Sequence, residues 1–447
     1  MKRLEDFTKL KKPWGFEGVE RREVRLKELV EDVKSGFALS KQKRIKINKD
    51  IGIPQLRPYN IANWNKIDLS ELTFIPKNMN GVEEYFIIKY GDVLFNNTNS
   101  IELVGRAAVF RNAGGSYTYS NHITRIRVKK QVITPNFLSW YLNFLWNKGF
   151  FYMKATKWIG QAGISNKKLL QIKIPLPFRN GKQDLEIQKK IVEYIGANFS
   201  RIDKILGKKK KELEKLDELW ESVLEQAFKP KEGEEWREMR LREVTKDVKS
   251  GFALSKQKRR KINVNNGFPQ LRPYNIANWN KINFDELTYI PKSMAGIEEY
   301  FIKNDDVLFN NTNSIELVGR AAVYRGLNRN YTYSNHITRI RVKKQIITSD
   351  FLSWYLNYLW NKGFFYLKAT KWIGQAGISN KKFLSTKIPL PFRNSKPDIE
   401  KQKEIANYLD NIYEKIKTLK EKNQKQIAQL EKMKESILDE VFNHENK

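Results

Sequence analysis

WIGQAGIS, residues Trp158 to Ser165, returns unchanged from Trp372 to Ser379. SGFALSKQK, Ser35 to Lys43, returns in the same way from Ser250 to Lys258. The earlier pair is offset by 215 residues and the later one by 214, so the second copy lacks one residue between the positions of Tyr85 and Val93. A period this long is far above the roughly 20–50 residues of a solenoid unit, so each copy is a domain in its own right. Two copies of one domain imply two copies of one ligand.

Composition narrows what that ligand is. The 447 residues accommodate two large copies and some smaller elements. Hydrophobic residues at 40% and aromatics at 12%, with 11 Trp, describe a folded chain with a sizeable core in each copy. No apolar run approaches the roughly 20 residues that span a bilayer. The opening MKRLEDFTKLKKPWGFEG has no apolar stretch of the secretory kind, so a cytoplasmic location is expected. Cysteine is absent, which excludes disulfides, thiolate zinc sites and cysteine nucleophiles. The 83 Lys and Arg against 50 Asp and Glu leave a net charge of +33, and such an excess needs an anionic partner. The basic residues are scattered through strand-like segments and not gathered on one amphipathic helix, which favours nucleic acid over a membrane surface.

Each copy has a globular part and a helical part. The globular parts, within 1–180 and 236–394, mix short apolar runs with Gly, Pro and Asn, the pattern of many short strands and turns. Asp92-Val-Leu-Phe95 and His122 to Val128 read as strands, and Phe137 to Tyr152 reads as one amphipathic helix. After Ile174-Pro-Leu-Pro-Phe178 the pattern changes to charged residues alternating with aliphatics, which predicts long helices over 183–229 and 398–443. A helix of that size is about 65 Å long at 1.5 Å per residue. Ile202, Leu206, Leu213, Leu216, Trp220, Val223 and Ala227 step by four and three, a heptad seam with Lys209 as its polar member. Ile416, Leu419, Ile427, Leu430, Ile437 and Val441 form the second seam, with Asn423 as the polar member. The expected fold is therefore mixed α/β: two repeated α+β domains joined by two long helices in an antiparallel coiled coil with pseudo two-fold symmetry. Parallel or separate helices, and seams that pair between chains, stay open at this point.

A search for chemistry finds no catalytic residues and no metal site. The three histidines are His122, its repeat His336, and His444, and no HExxH, GxSxG, Walker or GxGxxG motif occurs. Asn96-Asn-Thr-Asn99 lacks the Pro-Pro-aromatic sequence of an amino-methyltransferase pocket. The carboxylate pairs Glu83-Glu84 and Glu298-Glu299 read as solvated loops. Bidentate donors and acceptors suited to base edges and phosphates are frequent instead. In the first copy these are Gln42, Lys43, Arg44, Arg57, Tyr59, Asn60, Asn63, Asn96, Asn97, Thr98, Asn99, Asn121, His122 and Gln161. In the second they are Gln257, Lys258, Arg259, Arg272, Tyr274, Asn275, Asn278, Asn310, Asn311, Thr312, Asn313, Asn335, His336 and Gln375. Any one of these Asn residues equally suits a turn held by its own side chain, and Trp64, Trp140 and Trp158 read as core. Val93 to Arg111 matches Val307 to Arg325 except at Phe110/Tyr324, whereas NAGGS at 112–116 has become GLNRN at 326–330.

Five further stretches stand out: WREMRLREVTKDVKSG from Trp236, GDVLF at Gly91 to Phe95, GQAGISNKKLLQIKIPLPF from Gly160, and the helix openings Glu186-Ile-Gln-Lys-Lys-Ile191 and Glu400-Lys-Gln-Lys-Glu-Ile405. Through them, and over nearly its whole length, the chain resembles the specificity subunit of type I restriction-modification systems. Arg21 stands where Trp236 would map, and Asp305 where Gly91 would. The resemblance implies a non-catalytic reader of duplex DNA whose domains 1–180 and 236–394 are target-recognition domains, each reading half of a bipartite site, with the helices measuring the spacer. It implies two methyltransferase partners that methylate adenine N6, and two restriction/translocase partners. It implies no cofactor on this chain: S-adenosylmethionine belongs to the methyltransferase, ATP and Mg to the translocase. Near-identical copies should read an inverted repeat, as two-fold dimers read palindromes. A stand-alone nuclease or methyltransferase, and an RNA-binding or scaffold protein, are the competing classes.

Overall fold

The computed structural model describes residues 19–39, 51–77, 82–112, 114–255, 262–326 and 329–443. Gln42, Lys43, Arg44, Gln257, Lys258, Arg259 and His444 lie outside the described residues, as do the side chains of Glu83 and Glu84. The chain divides into two compact units, one of 1–209 with 425–447, the other of 210–424.

Val93-Leu94-Phe95-Asn96 shows why these residues make a central strand: four residues in a row are buried. A continuous apolar run marks a strand covered on both faces. Its sheet runs Val30–Ser35, Ile123–Val128, Val93–Asn96, Ala107–Val109, with every neighbour antiparallel. Val93 and Phe95 point into the large core with the helix Pro135–Asn147, while Leu94 and Ala108 join Leu56, Ile61 and Tyr119 on the other side. That second side is covered by the mixed sheet of Thr118–Tyr119, Gly52–Leu56 and Thr73–Pro76. The second copy repeats the layering with Thr245–Ser250, Ile337–Val342, Val307–Asn310 and Ala321–Val323.

The helix expected over Phe137 to Tyr152 is two helices. The hydroxyl of Thr134 accepts from the Phe137 amide and Pro135 opens the first turn. Gly149, at φ +70, ends this helix, and a short one follows at Phe150–Lys154. Gly363 at φ +73 does the same between Ser349–Asn361 and Phe364–Lys368.

Buried arginines brace the sheet. Arg125, 3% exposed, pairs with Asp32 and donates to the carbonyls of Tyr85 and Ile87 at 3.1 and 3.2 Å. Arg127 pairs with Asp92 at 2.9 Å, and Asp92 also accepts from the Lys89 amide at 2.8 Å. Arg339, Asp247, Arg341 and Asp306 repeat the arrangement. Gly91 before Asp92 takes φ +90; in the second copy Asp305 takes φ +70 and ion-pairs with Arg325 and Lys344, both at 2.7 Å. The turn thus survives the loss of its glycine.

The long helices are Leu185–Ala227 and Ile399–Phe442. In the first unit Ile202 and Leu206 pack on Leu430, flanked by Ile427, Met433 and Ile437. Tyr194 meets Glu440 at 3.3 Å and Asp203 meets Lys434 at 2.6 Å, so one helix ascends as the other descends. Phe442 then seats edge-on against Phe137 and Tyr141, with centroids at 5.5 and 5.3 Å. In the second unit Asp217 pairs with Lys420, Trp220 packs on Tyr413, and Phe228 seats against Phe351 and Tyr355 at 5.4 and 5.1 Å. Each globular copy is therefore closed by the end of the helix that follows the other copy. The helices pair antiparallel within the chain, and the expected fold class stands.

Two seam positions differ from expectation. Leu419 is 48% exposed. Stepping four from Ile416 reaches Lys420 instead, and a residue one place earlier faces about 100° away on a helix with 3.6 residues per turn. Lys434, not expected in the seam, is 2% exposed at the place where the other unit has Trp220. It pairs with Asp203 at 2.6 Å and lies 5.5 Å from the Trp64 ring. Burial raises the Asp203 pKa, but hydrogen bonds from Lys434 and Lys66 outweigh it and hold the carboxyl below its ordinary value of 3.8. Among the described residues no helix is long and apolar enough to cross a membrane.

Two outcomes follow for stability. Phe442→Ala should destabilise the first unit by about 3–5 kcal/mol and Phe228→Ala the second by a similar amount; urea unfolding of the whole chain, with a probe in each unit, reads which transition moves. Asp203→Ala, which strands a buried ammonium, should cost roughly 3 kcal/mol, whereas Asp203→Leu with Lys434→Met, which replaces the pair by apolar side chains, should be neutral or stabilising. With its folded pKa depressed, Asp203 contributes fully above about pH 4 and loses that contribution as pH falls through the folded value, so unfolding below pH 4 should be less steep in Asp203→Asn.

Candidate nucleic-acid interface

The repeated polar residues fall into a buried set and an exposed set. Asn60, Asn96, Asn97, Asn275, Asn310 and Asn311 are each at most 7% exposed. The Asn60 amide donates to the Asp68 and Glu71 carbonyls, both at 2.8 Å, while its oxygen accepts from the Arg57 amide. Asn275 makes the same three bonds. Asn96 donates to the Leu103 carbonyl at 3.1 Å, Asn310 to that of Pro273 at 3.1 Å. These six were expected at the ligand; the structure buries them and turns their amide groups to internal carbonyl and hydroxyl oxygens, where they shape loops.

Asn97 is the centre of a polar knot. Its amide donates to Thr124 Oγ1 at 2.9 Å and to the Asn121 carbonyl at 3.1 Å, and its oxygen accepts from Thr98 at 2.7 Å. Thr124 donates to Asn166 at 2.9 Å, and Ser35 joins both within 3.3 Å. Asn311, Thr338 and Ser250 repeat it, with Asn311 donating to Thr338 at 2.9 Å. Gly36 follows Ser35 because a Cβ there would sit 2.2 Å from the Tyr119 carbonyl.

The knot draws the exposed set into one strip. Thr98–Asn99 pairs with Gln161–Gly163, which pairs in turn with Thr156–Trp158. The amides of Asn97 and Thr98 both donate to the His122 carbonyl, which sets the Asn121-His122 turn beside that ribbon. Thr98, Asn99 and His122 are half-buried, Asn121 and Gln161 exposed. Thr312, Asn313, Asn335, His336 and Gln375 occupy the equivalent strip. A second group flanks Ile61: Arg57 and Asn63 are half-buried and Tyr59 is 48% exposed. Its equivalents are half-buried Arg272, Tyr274 at 51% and exposed Asn278.

Some residues of the strip escaped the sequence reading. Trp158, expected in the core, is 56% exposed, and Ile159 next to it is wholly exposed; Trp372 and Ile373 match them. Trp140 is buried and Trp64 half-buried, as core residues are. The unchanged octet was the available signal. The segment from Leu103 to Gln183 contains fourteen Lys and Arg and no Asp or Glu, and Leu317 to Pro397 contains Asp350 alone. Such a field attracts a polyanion. Among the described residues no group of His, Cys, Asp or Glu is arranged to hold a metal ion.

Known proteins resemble this chain in sequence and fold. The family described as type I restriction modification DNA specificity domain matches residues 18–215 and again 233–429. The putative type I restriction enzyme MjaX specificity subunit of Methanocaldococcus jannaschii is 25% identical over 93% of this chain and 91% of its own length. The EcoKI specificity subunit of Escherichia coli is 23% identical over 92% and 86%. Among solved structures, a chain from work on complex assembly and conformational transition of the type I R-M system aligns at a TM-score of 0.70. It shares 20% identity, with 94% of this chain and 97% of that one covered. The HsdS subunit of Thermoanaerobacter tengcongensis aligns at 0.53 and 19%, covering 94% and 96%. These two likenesses carry the fold. With both repeats matched by one family description, the chain belongs to the type I restriction-modification DNA specificity family, as a specificity subunit with two such domains.

Proposed function

We propose that this chain reads a bipartite DNA sequence and positions two methyltransferase subunits on it for adenine N6 methylation, without catalysing a step itself. The observation that carries the reading is the strip built twice from the same residues, Thr98, Asn99, Asn121, His122 and Gln161 in one unit and Thr312, Asn313, Asn335, His336 and Gln375 in the other. Identical strips select identical half-sites. Near-identical reading domains should read an inverted repeat, its halves separated by an unread spacer. The Lys and Arg excess supplies phosphate contacts that hold register, and the strips supply base contacts that specify. Restriction/translocase subunits would join through the methyltransferases, with S-adenosylmethionine, ATP and Mg bound by those partners. A cytoplasmic location, where the DNA is, goes with this reading.

Coexpression with the neighbouring methyltransferase subunit, followed by mapping of N6-methyladenine across host DNA, should return one gapped inverted repeat modified on both strands. An asymmetric motif would refute the equivalence of the copies, and methylation by this chain without a partner would refute its non-catalytic role. Replacing Asn99, Asn121 and Gln161 together by Ala should relax one half-site only, by about 1–3 kcal/mol for each lost bidentate contact. Asn97→Ala should instead lower the thermal stability of the first unit, since it removes the amide that donates to Thr124 and the Asn121 carbonyl and the oxygen that accepts from Thr98.

A further inference from the structure

Ile159 and Ile373 have relative exposures of 105% and 103%, above every other large apolar side chain among the described residues. Each stands at the tip of a two-residue turn, between paired Trp158 and Gln161 or between Trp372 and Gln375. The turn itself asks for a glycine, and Gly160 and Gly374 take φ +74 and +73. It asks for no isoleucine, since short turns are ordinarily polar, and space around Gly160 and Gly374 is open to 4 Å. Drift would have been free here, as it was between 112–116 and 326–330, yet both copies read Trp-Ile-Gly-Gln. Folding does not account for the isoleucine.

Its surroundings say what does. The tip is stiff: the indole of Trp158 lies on Gly163, where a Cβ would meet the ring at 3.0 Å, and Trp372 lies on Gly377 in the same way. Lys157 sits 4.3 Å over Tyr152, and Lys371 sits 4.0 Å over Tyr366. From Met153 to Lys168 there are four lysines and no acid, and Leu367 to Lys382 repeats this. The ribbon continues by strand pairing into Thr98–Asn99 and Thr312–Asn313 of the two strips. An aliphatic tip standing out beyond half-exposed Trp158 or Trp372 on a stiff basic ribbon suits a base step, where wedges of Phe, Leu, Ile, Met or Pro unstack and kink the duplex.

We propose that Ile159 and Ile373 are wedges, each entering one base step beside its half-site, unstacking it and bending the DNA. The proposal rests on the DNA-reading function above and deepens it. Adenine N6 is reached by a methyltransferase only after the nucleotide leaves the stack, and a step already opened by the reader makes that exit easier.

The test uses the full chain and duplexes carrying the mapped methylation motif, with 2-aminopurine placed in turn at each purine in and beside it. The wild-type chain should raise fluorescence several-fold at one step by each half-site. Ile159→Ala should abolish the rise at one half-site and Ile159→Ala with Ile373→Ala at both, with affinity falling about tenfold for the double variant. Ile→Leu at both positions should keep the signal; Ile→Lys should keep binding and lose it. Wild-type binding without any fluorescent step, or a double Ala variant indistinguishable from wild type, overturns the wedge and leaves the reader intact. A double Ala variant that binds and unstacks DNA normally but no longer holds the methyltransferase subunit overturns it in favour of a protein contact. Failure of the wild-type chain to bind the duplex removes the reader and the wedge with it.

Discussion

Phe442 between Phe137 and Tyr141, and Phe228 between Phe351 and Tyr355, are the contacts on which the architecture depends. Each globular copy leaves an apolar face that its own following helix covers only in part, through Ile187, Ile191, Ile195 and Phe199 in the first unit. The rest is covered by the far end of the other helix, with Leu438, Val441 and Phe442. Neither copy completes its core from its own repeat. A duplicated domain with such a requirement is satisfied within one chain only if the helices run in opposite directions, so the aromatic seat and the antiparallel pairing are one constraint.

The units are alike in design and differ where they need not be alike. Trp220 sits among Trp279, Trp354 and Tyr413, while at its counterpart Lys434 faces Asp203 beside Trp64 and Phe199. A ring cluster and a buried ion pair fill the same space, and the second needs a partner to be tolerated at all. The strips, by contrast, keep the same side chains in both units. Strips kept alike at the surface while a buried seam position has changed are what a shared ligand would impose.

The strip depends on side chains that do not belong to it. Asn97, Thr124, Asn166 and Ser35 saturate one another, and through them the Asn121-His122 turn and the Gln161 ribbon are held side by side. Buried polar groups left half satisfied would be costly, so these residues are fixed as a set. That is why an asparagine-rich loop recurs unchanged although most of its asparagines never reach the surface. The lysines around the ribbon act at longer range and need no such fixing.

The repeat, the missing residue, the basic excess, the absence of cysteine and the helical seams are properties of residue order, so the sequence alone determined two like domains, two long helices and an anionic partner. Seam positions were legible only in part, because Lys420 and Lys434 carry charges that hide a heptad from a search for apolar steps. The division of the asparagines was not legible at all. Asn96 and Asn97 look no different from Asn99 and Asn121 in composition or spacing, and only the fold, by supplying the Leu103 carbonyl and Thr124 Oγ1 to some and solvent to others, assigned them opposite roles. Ile159 escaped for the same reason: an apolar residue beside tryptophan reads as core until strand pairing turns it into the tip of a ribbon. Local pattern sets which elements form; which face of each element meets water is decided by contacts between residues far apart in the chain.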